Sequence, residues 1–92
     1  MKLIVRGFKK ETLKKFKDVK STPLCALSPK NQKNLGVCKG KSIINGLSAI
    51  IIDGSIDQFI GMTKTLRQNL NLEIGQEVEA SLQDSVLKIN RI

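Results

Sequence analysis

The 92-residue chain has no histidine, no tryptophan and no tyrosine, and only two prolines and two cysteines. Without histidine it lacks the commonest near-neutral acid–base group and the commonest metal ligand, so Ser-His-Asp and Cys-His catalysis and every imidazole-bearing zinc site are excluded. Cys25 and Cys38 stand thirteen residues apart with no CxxC pattern and no third sulfur. That spacing builds neither a metal site nor a disulfide framework. They read as small hydrophobes, the alternatives being one disulfide or a reactive thiol. No apolar run approaches the ~18 residues that a membrane-spanning helix needs. Leu3-Ile4-Val5 is interrupted by Arg6 and Gly7 too early to form the core of a signal peptide. These absences lead to an expectation of one cytoplasmic domain over residues 1–92, without cofactor or metal, as a monomer or homodimer.

What is abundant is positive charge. Sixteen Lys and Arg stand against eight Asp and Glu, a formal charge of +8. Residues 1–46 carry about +10 of it and residues 47–92 about −2. Such asymmetry predicts one basic face and an anionic partner. The density peaks between Lys9 and Lys20, where Phe8, Leu13, Phe16 and Val19 recur at near-helical spacing. The pattern predicts an amphipathic helix over about Lys10 to Asp18, within a basic insertion at about residues 8–20. Its Phe and Leu side chains are expected to dock while the lysines face outward. The other readings of that face are a merely solvated one and a membrane-surface helix, the latter opposed by a narrow apolar side without Trp.

The organising feature is self-similarity at an offset of 35 residues. Leu27–Ile43 lies over Met62–Val78, with Asn34 on Asn69, Leu35 on Leu70 and Gly40 on Gly75. Ser28 and Thr63 are matched helix N-cap hydroxyls, Pro29 suits a first helical position, and Gly36 and Asn71 suit a left-handed terminator. Two pseudo-repeats, at about residues 24–46 and 58–82, are expected to run strand, short helix, tight turn, strand. Strands are predicted at Lys2–Arg6, Leu24–Leu27, Lys41–Ile44, Ala49–Ile52, Gln58–Met62, Glu77–Leu82 and Ser85–Asn90. Asn45-Gly46 is a strong hairpin signal and Asp84-Ser85 a weaker one. Ala49-Ile50-Ile51-Ile52 is apolar without alternation, as in a strand covered on both faces. The fold class that follows is mainly β with short helices: a six- to seven-stranded closed barrel, which leaves few exposed strand edges.

From Asp53 to Ile89 the chain resembles the AbrB/SpoVT type of DNA-binding half-barrel. The resemblance lies in Phe59-Ile60-Gly61-Met62-Thr63-Lys64-Thr65-Leu66-Arg67, in the turn Asn69-Leu70-Asn71-Leu72-Glu73-Ile74-Gly75-Gln76-Glu77-Val78-Glu79, and in Gln83–Ile89. The first unit, Leu27-Ser28-Pro29 through Leu35-Gly36-Val37 to Gly40, is similar to the double-psi β-barrel, which also occurs in N-terminal domains of valosin-containing-protein-type AAA ATPases. The resemblance implies a double-psi-like barrel, here with both halves in one chain. Gln76 and Gly61 depart from the aspartate and proline usual in the AbrB pattern. Where that family carries DNA-contacting arginines, this chain has Asp53-Gly54-Ser55-Ile56-Asp57-Gln58. Contact with nucleic acid therefore falls to the basic first half.

Enzymatic patterns are thin. Gly54-Ser55 is similar to the self-cleaving bond of aspartate decarboxylase, another double-psi protein, but is also an ordinary turn dipeptide. Gly36–Ser42 ends like a phosphate loop but is one residue short, and the 35-residue match assigns both its glycines to a helix stop and a turn. Asp53, Asp57 and Asp84 are isolated carboxylates. The expected function is therefore non-enzymatic, weakly sequence-selective nucleic-acid binding through Lys9, Lys10, Lys14, Lys15, Lys17, Lys20, Lys30 and Lys33. Thirteen lysines against three arginines favour phosphate contacts over base reading. The three Phe are expected in the core, which argues against stacking on single-stranded bases. The alternative is a protein-recognition module that docks a partner in the groove between the pseudo-repeats.

Overall fold

The computed structural model describes residues 1–15 and 22–92. Seven strands close a barrel: β1 (Lys2–Arg6), β2 (Leu24–Leu27), β3 (Gly40–Ile44), β4 (Leu47–Asp53), β5 (Phe59–Met62), β6 (Glu77–Gln83) and β7 (Val86–Arg91). Among the described residues three short helices, α1 (Lys10–Lys14), α2 (Pro29–Leu35) and α3 (Lys64–Leu70), follow β1, β2 and β5. The order around the barrel is β1-β5-β2-β4-β3-β7-β6. No helix among the described residues is long and apolar enough to cross a membrane.

The ladder explains why so few residues suffice. Period-two alternation sends Leu3, Val5, Cys25, Leu27, Ile51, Ile60, Met62, Val78, Ala80, Leu87 and Ile89 into one interior, all nearly or fully buried. Leu24, Ala26 and Ile52 point outward from the same strands but are buried by a second cluster that includes Phe8 and Ile50. The unalternating apolar run is thereby covered on both faces, Ile51 within and Ile50 and Ile52 without.

The middle of the sheet has an internal correspondence. β4 runs parallel to β2 and antiparallel to β3; β1 runs parallel to β5 and antiparallel to β6. β1 thus stands to β5 as β4 stands to β2. The segments that carry the chain from β1 to β2 and from β4 to β5 are the corresponding crossovers, residues 7–23 and 54–58. β2 and β5 pair antiparallel with Ala26 opposite Gly61. β7, between β6 and β3, has no counterpart.

The local chemistry of the two longer helices differs at one end. The Ser28 hydroxyl accepts from the Asn31 N–H at 3.1 Å, and Pro29 opens α2. Thr63 makes no side-chain cap: its hydroxyl accepts instead from the Leu24 N–H at 3.2 Å, while its own N–H donates to the Leu24 carbonyl at 3.1 Å. The cap expected at Thr63 is therefore a stitch between β2 and β5. Gly36 at φ 82° and Asn71 at φ 56° end α2 and α3 in the left-handed region.

The helix expected over residues 10–18 is shorter among the described residues. It spans Lys10–Lys14, and Lys15 closes it. Phe16 to Asp18 lie outside the described residues, as do Val19 and Lys20. The expected docking by Leu13 is not seen, for that side chain is 42% exposed and α1 buries none of its residues. Five residues offer too little hydrogen bonding to offset helix nucleation unaided. Phe8, at the entrance, is what meets the barrel.

Candidate functional site

Both crossovers approach the outward face of the β2–β5 pair and leave a cleft of about 640 Å³ between them. Its floor is Ala26, Ile52 and Gly61, with Phe8 and Phe59 beside it; its rim is Arg6, Lys9 and Thr12 on one side and the Asp53–Ile56 segment on the other. The size is that of small-ligand pockets, ~300–1,000 Å³. Gly61 keeps the floor low. A Cβ there would meet that of Ala26 at 2.9 Å and the Phe8 ring at 3.3 Å.

α2 holds the second crossover in place from within. The Gln32 amide donates to the Leu27 carbonyl at 2.8 Å and to Asp53 Oδ1 at 2.9 Å, and the Asn31 amide donates to the Asp57 carbonyl at 2.6 Å. Gly54 N–H donates to the Leu27 carbonyl at 2.9 Å. Asp53 Oδ2 accepts from Lys39 at 3.2 Å. The bond from Gln32 first, and then Lys39, hold the Asp53 carboxyl below its ordinary range. Its charge is thus already answered by side chains outside the cleft. Arg6 lies over Phe59 with its guanidinium carbon 4.2 Å from the ring centroid, a cation–π contact that fixes both at the rim.

The lysines singled out from the sequence fall into two groups. Lys9, Lys10, Lys14 and Lys15 are exposed along the first crossover, and Lys9 reaches the cleft. Lys30 and Lys33 are exposed on α2. Lys17 and Lys20 lie outside the described residues. The ion pairs among the described residues join Met1 to Glu79 and Lys39 to Asp53, so none of the six described lysines is neutralised in this way.

Phe8 and Phe59 correct the expectation that the aromatic residues fill the core. Both are half-buried and line the cleft, outside the barrel interior. Sequence reasoning also passed over Arg6, Ala26 and Ile52, which sit in strands that read as purely structural. The available signal was the 35-residue offset itself, which, carried one residue back from Leu27 and Met62, sets Ala26 on Gly61. No group of His, Cys, Asp and Glu arranged to hold a metal ion occurs among the described residues. Cys25 is sealed in the barrel and Cys38 is exposed.

Comparison of the chain with protein-family models, with curated proteins and with solved structures finds no match.

Proposed function

We propose that this is a non-enzymatic nucleic-acid-binding protein of weak sequence selectivity, acting in the manner of a small transcriptional regulator or a chromatin- or ribonucleoprotein-associated factor. We further assign it to the double-psi, AbrB/SpoVT-like class of barrels, built from two pseudo-repeats. The matched placement of β2 with β5, α2 with α3 and β4 with β1 supports that assignment. One observation carries the functional reading: Lys9, Lys10, Lys14 and Lys15 stand exposed on one short crossover, with no ion pair to another described residue. Four adjacent ammonium groups favour a polyanion, because phosphate neutralisation releases condensed counterions. Lysine, a point charge without a planar fork, meets backbone phosphate more readily than base edges.

The test is a titration of nucleic acid at several salt concentrations. Neutralising four phosphates gives a slope of log affinity against log salt near about −3 to −4, and each lysine removed is expected to make it shallower by about 1. Replacing Lys9, Lys10, Lys14 and Lys15 together by Glu is expected to abolish low-salt binding. Binding that is absent at low salt, or unchanged in that variant, overturns the reading.

A second reading, a protein-recognition module, draws on Ile56, 50% exposed at the cleft, and on Leu13, 42% exposed on α1. A partner protein retained at high salt would carry it, since apolar contacts are not screened.

A further inference from the structure

We infer that the cleft between the two crossovers is a base-binding pocket, and that the chain consequently prefers single-stranded to duplex nucleic acid. This rests on the nucleic-acid reading and adds to it what the lysines alone do not specify.

Three features of the cleft converge. Its volume, about 640 Å³, admits a planar ring with its sugar. Its floor, Ala26 and Ile52, and the Phe8 and Phe59 rings beside it are apolar, so a ring reaching them leaves water for hydrocarbon and aromatic surface. At its rim the Arg6 guanidinium carbon lies over the Phe59 ring, 4.2 Å from its centroid, and Arg6 itself is exposed. An arginine beside an aromatic ring at a cleft mouth offers an incoming ring a cationic and an aromatic contact together, the side-chain types on which single-stranded bases stack. Thr12 and Ser55 place hydroxyls on the two walls, where they can meet a base edge.

Charge selects this occupant over an uncharged apolar one. Lys9 is both a wall of the cleft and the first of four exposed lysines on the crossover. A strand whose phosphates follow those lysines is led to the cleft mouth. Among the described residues the wall's one carboxylate, Asp53, is bonded to Gln32 and Lys39 and so opposes a phosphate less than a bare carboxylate would. A duplex keeps its bases stacked and paired, and cannot fill the cleft without extruding one.

The experiment begins with the unsubstituted protein. A twelve-nucleotide oligothymidylate, its duplex with oligoadenylate, and a twelve-position abasic oligomer with the same phosphates are titrated at one low and one moderate salt concentration. The inference expects the intact single strand to bind about tenfold more tightly than the abasic strand, as one stacked base contributes. The two are expected to share one salt slope. The duplex is expected to be the weaker ligand of the two base-bearing ones. Phe59→Leu, checked for an unchanged melting transition, is expected to remove that tenfold advantage while leaving the abasic strand's affinity as it was. Equal binding of intact and abasic strands overturns the pocket but leaves the lysine–phosphate pairing standing. Absence of salt-dependent binding to all three overturns the nucleic-acid reading, and the pocket with it.

Discussion

Ala26 and Gly61 face each other across the β2–β5 ladder, 35 residues apart in sequence, and a Cβ on Gly61 would stand 2.9 Å from that of Ala26. Residues related by the sequence offset are here each other's partners, so a local two-fold relation between β2 and β5 passes through this pair. Two alanines on that axis would collide. One of the two positions must be small, and the Phe8 ring, 3.3 Å from the same point, closes the remaining space.

Gly61→Ala is therefore expected to lose about 1–3 kcal/mol of stability by overpacking. Combining it with Ala26→Gly moves the methyl to the other strand, and recovery of part of the loss in denaturant unfolding is the expected outcome. Strictly additive losses would show that the clash with Phe8, and not that with Ala26, dominates.

The two cysteines should separate cleanly by reactivity. Burial in the barrel pushes the Cys25 thiol up to about 12, so at neutral pH it is neither accessible nor ionised. Cys38 is exposed. A thiol reagent counted by mass is expected to add once to the native protein, at Cys38, and a second time only after unfolding. Native double modification would mean that the barrel opens on the timescale of labelling.

Asp53 makes stability depend on pH in one direction. Its folded-state value is lowered below the ordinary 3.8 by the bond from Gln32 and then by Lys39. The carboxylate's contribution is accordingly complete above the unfolded value and lost as pH falls through the folded one. In the Asp53→Asn variant that contribution is missing at neutral pH. The stability gap between the two proteins is expected to close as pH is lowered below the ordinary carboxylate value and through the lowered folded one. A gap that widens on acidification would contradict the assignment.

Asn45 does the work of a strand at the seam between β3 and β7. β3 and β7 share one register pair, Ile44 with Leu87; beyond it the Asn45 side chain donates to the Ile89 carbonyl and accepts from the Ile89 N–H, both at 2.8 Å. Asn45 also sits at φ 49°, in the left-handed region. Asn45→Ala forfeits both bonds and adds left-handed strain, about 2–3 kcal/mol together. Asn45→Gly forfeits the bonds alone and is expected to fall between. The second hairpin offers the opposite change: Ser85 stands at φ 65° with no such side-chain compensation. Ser85→Gly is expected to raise stability by about 0.5–1 kcal/mol, read from the melting transition.

Much of the barrel was legible because its signals are local. Short apolar runs bounded by turn signals placed all seven strands, Lys2–Arg6 and Leu24–Leu27 with the observed bounds and the others within about two residues at either end. Ser28-Pro29 and Gly36 bounded α2 through chemistry confined to one turn. The candidate site was half legible. The lysines of the first crossover declared themselves by density, whereas Arg6, Phe8, Phe59 and Ala26 belong to the cleft only because β1, β2 and β5 are neighbours. Thr63 shows the same limit. Its sequence context matches that of Ser28, but its hydroxyl bonds to Leu24 because β2 brings that N–H beside it.

By itself the sequence determined the charge asymmetry, the absence of imidazole chemistry, the order of strands and helices and the stops between them, all of which depend on residues within a few positions of one another. Tertiary structure alone decided that β1 joins β5, that Leu13 is left exposed while Phe8 is covered, and that Arg6 lies on Phe59 at the rim of a cleft. The physical reason is that pairing partners and side-chain neighbours are set by closure of the whole sheet, which brings together residues dozens of positions apart and has no signature in any short stretch of chain.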